Sequence, residues 1–63
     1  MKHETFYEYC KDKSPEDTDR VVAKVNEMGL NIIANLLDQG YTIKNFEYDT
    51  SSLDRLGIKV YYE

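Results

Sequence analysis

One cysteine and one histidine are all that these 63 residues hold of either type. Cys10 by itself closes no internal disulfide. Together with His3 it falls short of the four ligands of a structural zinc site. Two of the staples that small domains rely on are therefore missing, although a chain this short buries only about 60% of the surface its unfolded form exposes. Oligomerisation is the stabilising device left open. The lone thiol suits a reducing compartment.

Long apolar runs are missing as well. No stretch approaches the roughly 20 residues of a membrane span, and no apolar run of signal-peptide length opens the chain. A soluble, cytoplasmic protein is expected. Charge is only mildly one-sided: twelve acids against eight Lys and Arg, a net −4. No basic stripe exists, which speaks against nucleic-acid binding. There is no GxGxxG, no Walker-type GK[ST] and no calcium-loop spacing. His3 lies near a chain end and Cys10 has no CxxC partner, so no catalytic, cofactor-binding or metal-ligating set is assigned and no enzyme activity is expected. No repeat or low-complexity segment divides the chain, and residues 1–63 read as a single domain.

What is present is one long helical pattern, from Pro15 to about Gln39. Ser14 can cap the first N–H groups, Pro15 suits the first turn, and Asp17 stands at the capping-box position. Glu16, Asp17 and Asp19 face the positive end of the helix dipole. Gly40 supplies a left-handed stop. Glu16, Arg20, Lys24, Glu27, Asn31, Asn35 and Asp38 recur at three- and four-residue steps and form one polar stripe with internal ion pairs. The rest of the wheel is an apolar arc of roughly 200°, twice the ~100° stripe of an ordinary surface helix. One flank holds Val21, Val25, Met28 and Ile32. The centre holds Val22, Gly29, Ile33 and Leu36. The other flank holds Ala23, Leu30, Ala34 and Leu37, with Asn26 set among them.

Two readings of that width stand side by side. Either all of it is intramolecular core, or the flank of Ala23, Leu30, Ala34 and Leu37 meets another subunit. Length favours overhang: about 25 helical residues span ~37 Å, against a diameter of roughly 27 Å for a compact globule of this size. Either the helix breaks near Gly29, or a partner covers the excess.

Residues 41–48 read as a strand whose apolar phase slips between Ile43 and Phe46, as a bulge near Asn45 would cause. Residues 58–62 read as a second strand, with Ile58, Val60 and Tyr62 on one face. An antiparallel hairpin joins them. Within the connection, residues 52–57 could form one helical turn capped by Ser52 and ended by Gly57. Residues 3–11 fit either a strand or a short helix by pattern, and the marginal stability of a two-stranded sheet favours a third strand. The expected class is α+β: one long helix packed on a small antiparallel sheet.

Six tyrosines is a high share for this length. Tyr61 and Tyr62 are adjacent on a strand and point to opposite faces. Tyrosine offers large contact area at low entropic cost and is enriched where proteins bind one another; it also serves as plain cross-strand packing. Tyr48, Tyr61 and Tyr62 beside Glu47 and Asp49 make candidate partner-binding residues, suited to a basic partner protein. The functional expectation is a small acidic interaction module, a homodimer, that binds and modulates a larger protein in the manner of a phage-like or mobile-element regulator or inhibitor. The alternative is a DNA mimic acting on a nucleic-acid-binding protein. Duplex DNA carries one charge per about 1.7 Å, far denser than −4 over a whole domain.

Overall fold

The computed structural model describes residues 1–63 and contains four elements in the order β1 (Lys2–Tyr9), α1 (Pro15–Asp38), β2 (Ile43–Asp49) and β3 (Arg55–Tyr62). β3 lies in the middle of a three-stranded sheet, antiparallel to β1 on one side and β2 on the other. The N-terminal segment is thus a strand, which gives the hairpin the third member it needs. No helical turn forms in residues 52–57: β3 begins at Arg55, and Ser52 Oγ instead accepts the Asp54 N–H at 3.1 Å in a simple turn. Pairing of Tyr9 with Arg55 and Glu8 with Leu56 extends β3 to this earlier start. The bulge on β2 falls between Ile43 and Asn45.

α1 is unbroken at Gly29. Its start and stop follow local chemistry. The Ser14 hydroxyl accepts the Asp17 N–H at 3.1 Å. The reciprocal half of a capping box does not form: the Asp17 carboxylate turns back onto the loop before the helix, and the Ser14 N–H goes to Asp12 Oδ1 at 2.9 Å. At the other end Gly40 takes φ +90°, and the Gly40 and Tyr41 N–H groups reach back to the Leu37 and Leu36 carbonyls, both at 3.0 Å. That is the paired closure of a Schellman motif.

Register assigns the two sheet faces, because residues paired across an antiparallel ladder share a face. Leu56, Ile58, Val60 and Tyr62 look toward the helix, joined by Phe6 opposite Ile58 and by Phe46 opposite Val60. Arg55, Gly57, Lys59 and Tyr61 look the other way, onto a face that no element covers. Val21, Val25, Leu36, Ile58 and Val60 are the buried apolar residues, and Val25 and Val60 are fully enclosed. Phe6, Cys10 and Leu56 pack half-buried against Val21, Val25 and Ile58. The molecule measures 39 × 19 × 12 Å. Its long axis is set by α1, whose 24 residues span about 36 Å.

Candidate functional site

The helix covers only part of the sheet. An α-helix with its side chains is about 10 Å wide, and strands lie about 4.8 Å apart, so one helix roofs two strands. α1 takes β3 and β1 and barely reaches β2. An ion-paired clasp draws it to that side. Arg20 donates from Nε and Nη2 to Asp17 Oδ1, at 3.1 and 2.8 Å, from Nη1 to Glu8 Oε2 at 3.0 Å, and from Nη2 to the Tyr9 carbonyl at 2.9 Å. The second Asp17 oxygen accepts the N–H groups of Lys11, Asp12 and Lys13, at 2.6, 3.1 and 3.0 Å. Lys13 adopts φ +61°, and this turn aims the three consecutive N–H groups at one carboxylate. The Arg20 guanidinium and those N–H groups hold the Asp17 carboxyl well below the usual carboxylate range. This clamp fixes the end of β1 to the first turns of α1.

The uncovered side is a cleft of about 250 Å³ between α1 and β2. Asn26, Leu30 and Ile33 form its helical wall, Phe46 and Tyr48 its floor on β2, and Ile58 closes the back behind Gly29. The Tyr48 hydroxyl donates to Asn26 Oδ1, so the one polar side chain of the wall is satisfied from the floor. The large apolar side chains here are open to solvent, Leu30 at 67%, Phe46 at 50% and Tyr48 at 48%, and outside the lining, two turns beyond Leu30 on α1, Leu37 is 55% exposed. Gly29 allows the back of the cleft to close, since a methyl group in its place would stand 2.5 Å from Ile58 Cδ1.

The apolar arc is divided by this geometry. Val21 and Val25 from the first flank and Gly29 and Leu36 from the centre meet the sheet, whereas Val22 is 43% exposed. The whole other flank, Ala23, Leu30, Ala34 and Leu37, lies outside the core. The four subunit-interface candidates are therefore free of intramolecular burial, and they share their side of the molecule with Phe46 and Tyr48.

The partner-binding candidates do not form one surface. Tyr48 and Tyr62 stand on the helix side, Tyr62 packed edge-on against Tyr41 with ring centroids 4.8 Å apart. Tyr61, Glu47 and Asp49 stand on the open face. There the Tyr61 hydroxyl donates to Glu47 Oε1 at 2.9 Å and the Tyr7 hydroxyl to Asp49 Oδ2, also at 2.9 Å. The Tyr7 ring lies across Gly57, and the Arg55 guanidinium stacks on it 4.1 Å from the centroid. The Ser51 hydroxyl and N–H, with the Tyr7 hydroxyl, lower Asp49 to about 2. The neighbouring carboxylates push Tyr7 and Tyr61 above the ordinary tyrosine value.

A wider depression of about 440 Å³ opens beside Asp49, Ser51 and Lys59. It has one apolar residue, and Asp49 already bonds Ser51 and Tyr7. The α1–β2 cleft, apolar and less open, is the better formed of the two.

Sequence reasoning missed three features. Phe46 was hidden by the bulge, which obscures the face it joins. Tyr7, Gly57 and Arg55 meet only through β1–β3 pairing. Asp17 reads as a cap, and its loop-clamping role depends on the positive φ at Lys13. Comparison with protein-family models, with curated proteins and with solved structures finds no match to this chain.

Proposed function

We propose that this chain is a protein-interaction module without catalytic activity of its own, which binds and modulates a larger protein. The observation that carries this reading is the α1–β2 cleft. Four large side chains, Leu30, Leu37, Phe46 and Tyr48, lie about half or more exposed on one side of a molecule with only five buried apolar residues. Apolar exposure of this kind is a mark of surfaces that bind other molecules, polypeptides among them. The open sheet face adds a second surface of different character. Tyr61 with Glu47, and Tyr7 with Asp49 and Arg55, offer rigid aromatic area with charged rims, the composition favoured at binding hot spots.

The test pairs two measurements on the folded protein. Sedimentation across a concentration series reads self-association, and fluorescence of an anilinonaphthalene sulfonate dye reads open apolar surface. Association, or dye binding that Leu30→Glu abolishes, is expected. A strictly monomeric protein that leaves the dye dark overturns the reading.

A further inference from the structure

We infer that the cleft is occupied by α1 of a second copy of this chain, seated along a coiled-coil-type seam. The inference rests on the reading of the cleft as an interaction surface and names its occupant.

The seam is visible once the structure removes the buried half of the helix. Ala23, Asn26, Leu30, Ile33 and Leu37 follow one another at steps of three, four, three and four residues. That is the a/d spacing of a two-helix seam. It lies on the side of α1 turned away from β1, beside the bare strand β2. Asn26 holds one of the five positions, and a single polar residue there selects register at some cost in stability. Its Oδ1 already takes the Tyr48 hydroxyl, while the amide nitrogen has no bond within the protomer.

Three physical arguments select a second α1 over other occupants. The first is width. One helix roofs two strands, so the bare β2 offers room for one more helix at the 8–10 Å separation of packed helices. The second is charge. The five seam residues carry no formal charge, and Phe46 and Tyr48 add none. A basic partner or an acidic groove-filler gains nothing there, whereas a helix with an equally uncharged apolar stripe matches it. The chain itself carries such a helix.

The third is area. Leu30, Leu37, Phe46 and Tyr48, about half exposed, leave on the order of 400 Å² open per protomer if a whole side chain of this size counts about 200 Å². Two copies bring about 800 Å², and Ala23, Ile33 and the rim carry the total to roughly 1,000 Å², the lower bound for a specific interface. Such a dimer is weak, with a dissociation constant on the order of micromolar. It also supplies what a core of five side chains lacks, with neither disulfide nor metal to help.

The experiment is sedimentation equilibrium of the full chain from about 1 μM to about 1 mM, on wild type, Leu30→Glu/Leu37→Glu and Asn31→Glu, with circular dichroism as the fold check. Asn31 is exposed on the polar stripe, outside the seam, and serves as the control. Expected is a rise from one chain to two for wild type and Asn31→Glu, and a folded single chain at every concentration for the double variant. Because Leu30 and Leu37 are more than half exposed in the protomer, glutamate there leaves the fold intact. A variant-free readout runs beside it: on dilution, the amide resonances that move should be those of the α1 seam and β2, with β1 still. A dimer that persists in the folded double variant, or dilution shifts confined to β1 or the open face, overturns the inference. Wild type that stays a single chain and binds the dye overturns the second copy as occupant and leaves the interaction reading standing. A single chain that leaves the dye dark overturns both.

Discussion

Replacing Gly29 with alanine sets two opposing effects against each other. In an isolated helix the change gains about 1 kcal/mol of propensity. Here the new methyl carbon would stand 2.5 Å from Ile58 Cδ1 and 3.4 Å from Cγ2. Comfortable carbon–carbon contact is about 3.5–4.0 Å, so Cδ1 must retreat by about 1 Å. Ile58 is only 4% exposed, between helix and sheet. Leaving its rotamer well costs about 0.5–1.5 kcal/mol, and overpacking of a filled core generally costs about 1–3 kcal/mol. The net expectation is a loss of about 1 kcal/mol, or roughly 4–8 °C in Tm for a domain of this size. Ile58→Val removes Cδ1 and by itself should cost about 0.5–1.5 kcal/mol. In the Ile58→Val background Gly29→Ala should then stabilise, by up to about 1 kcal/mol. The assay is urea unfolding followed by circular dichroism, all four proteins at one fixed concentration, because self-association shifts midpoints. The reasoning fails if Gly29→Ala stabilises the wild-type chain, or if its sign does not reverse when Cδ1 is gone.

Three further outcomes follow from the same contacts. Asp49, lowered to about 2 by Ser51 and Tyr7, and Asp17, held lower still by Arg20, are depressed groups; their stabilisation is present above the unfolded value near 3.9 and is lost as pH falls through their folded values. Acid titration of the unfolding midpoint should therefore decline below about pH 4, and Asp49→Asn should flatten that limb; an unchanged limb refutes the assignment. Tyr7 and Tyr61 are raised by Asp49 and Glu47, so they stabilise below the unfolded tyrosine value near 10 and lose that contribution as pH rises through their folded values; ultraviolet titration should show two late-ionising phenols, one of them absent in Tyr7→Phe. Gly57→Ala places a methyl group inside the Tyr7 ring, which must lift away from Asp49 and Arg55; a loss of about 1–3 kcal/mol and a weakened near-ultraviolet aromatic signal are expected, and a neutral result would place the ring elsewhere.

The candidate site was half legible from the chain. Ala23, Leu30, Ala34 and Leu37 stand out on the helical wheel because an arc of roughly 200° exceeds what one sheet face covers. Tyr48 stood out as a candidate binding tyrosine, but Phe46, beside it on the cleft floor, did not. A bulge resets the alternation, and whether Phe46 faces the helix depends on which of two neighbouring residues the ladder skips. Tyr61 and Tyr62 part by simple alternation, as expected from the chain, but only β2–β3 pairing decides that Tyr48 shares the face of Tyr62. The expected helical turn at residues 52–57 did not form because Arg55, Leu56 and Gly57 pair with β1, leaving only a simple turn before them. A local pattern cannot register that competition.

Local chemistry decided the helix. Ser14, Pro15 and Gly40 mark its ends through hydrogen bonds and φ preferences that reach only a few residues, and these operate in any context. The α+β class follows from the same short-range rules, with apolar spacing near 3.6 in one segment and near 2 in two others. Tertiary structure decided what those rules leave open: that β3 lies centrally, that Arg20 and Asp17 clamp α1 toward β1, and that β2 is left bare with Leu30 and Leu37 beside it. These depend on contacts between residues far apart in the chain and on the mismatch between a helix about 10 Å wide and three strands spaced about 4.8 Å apart.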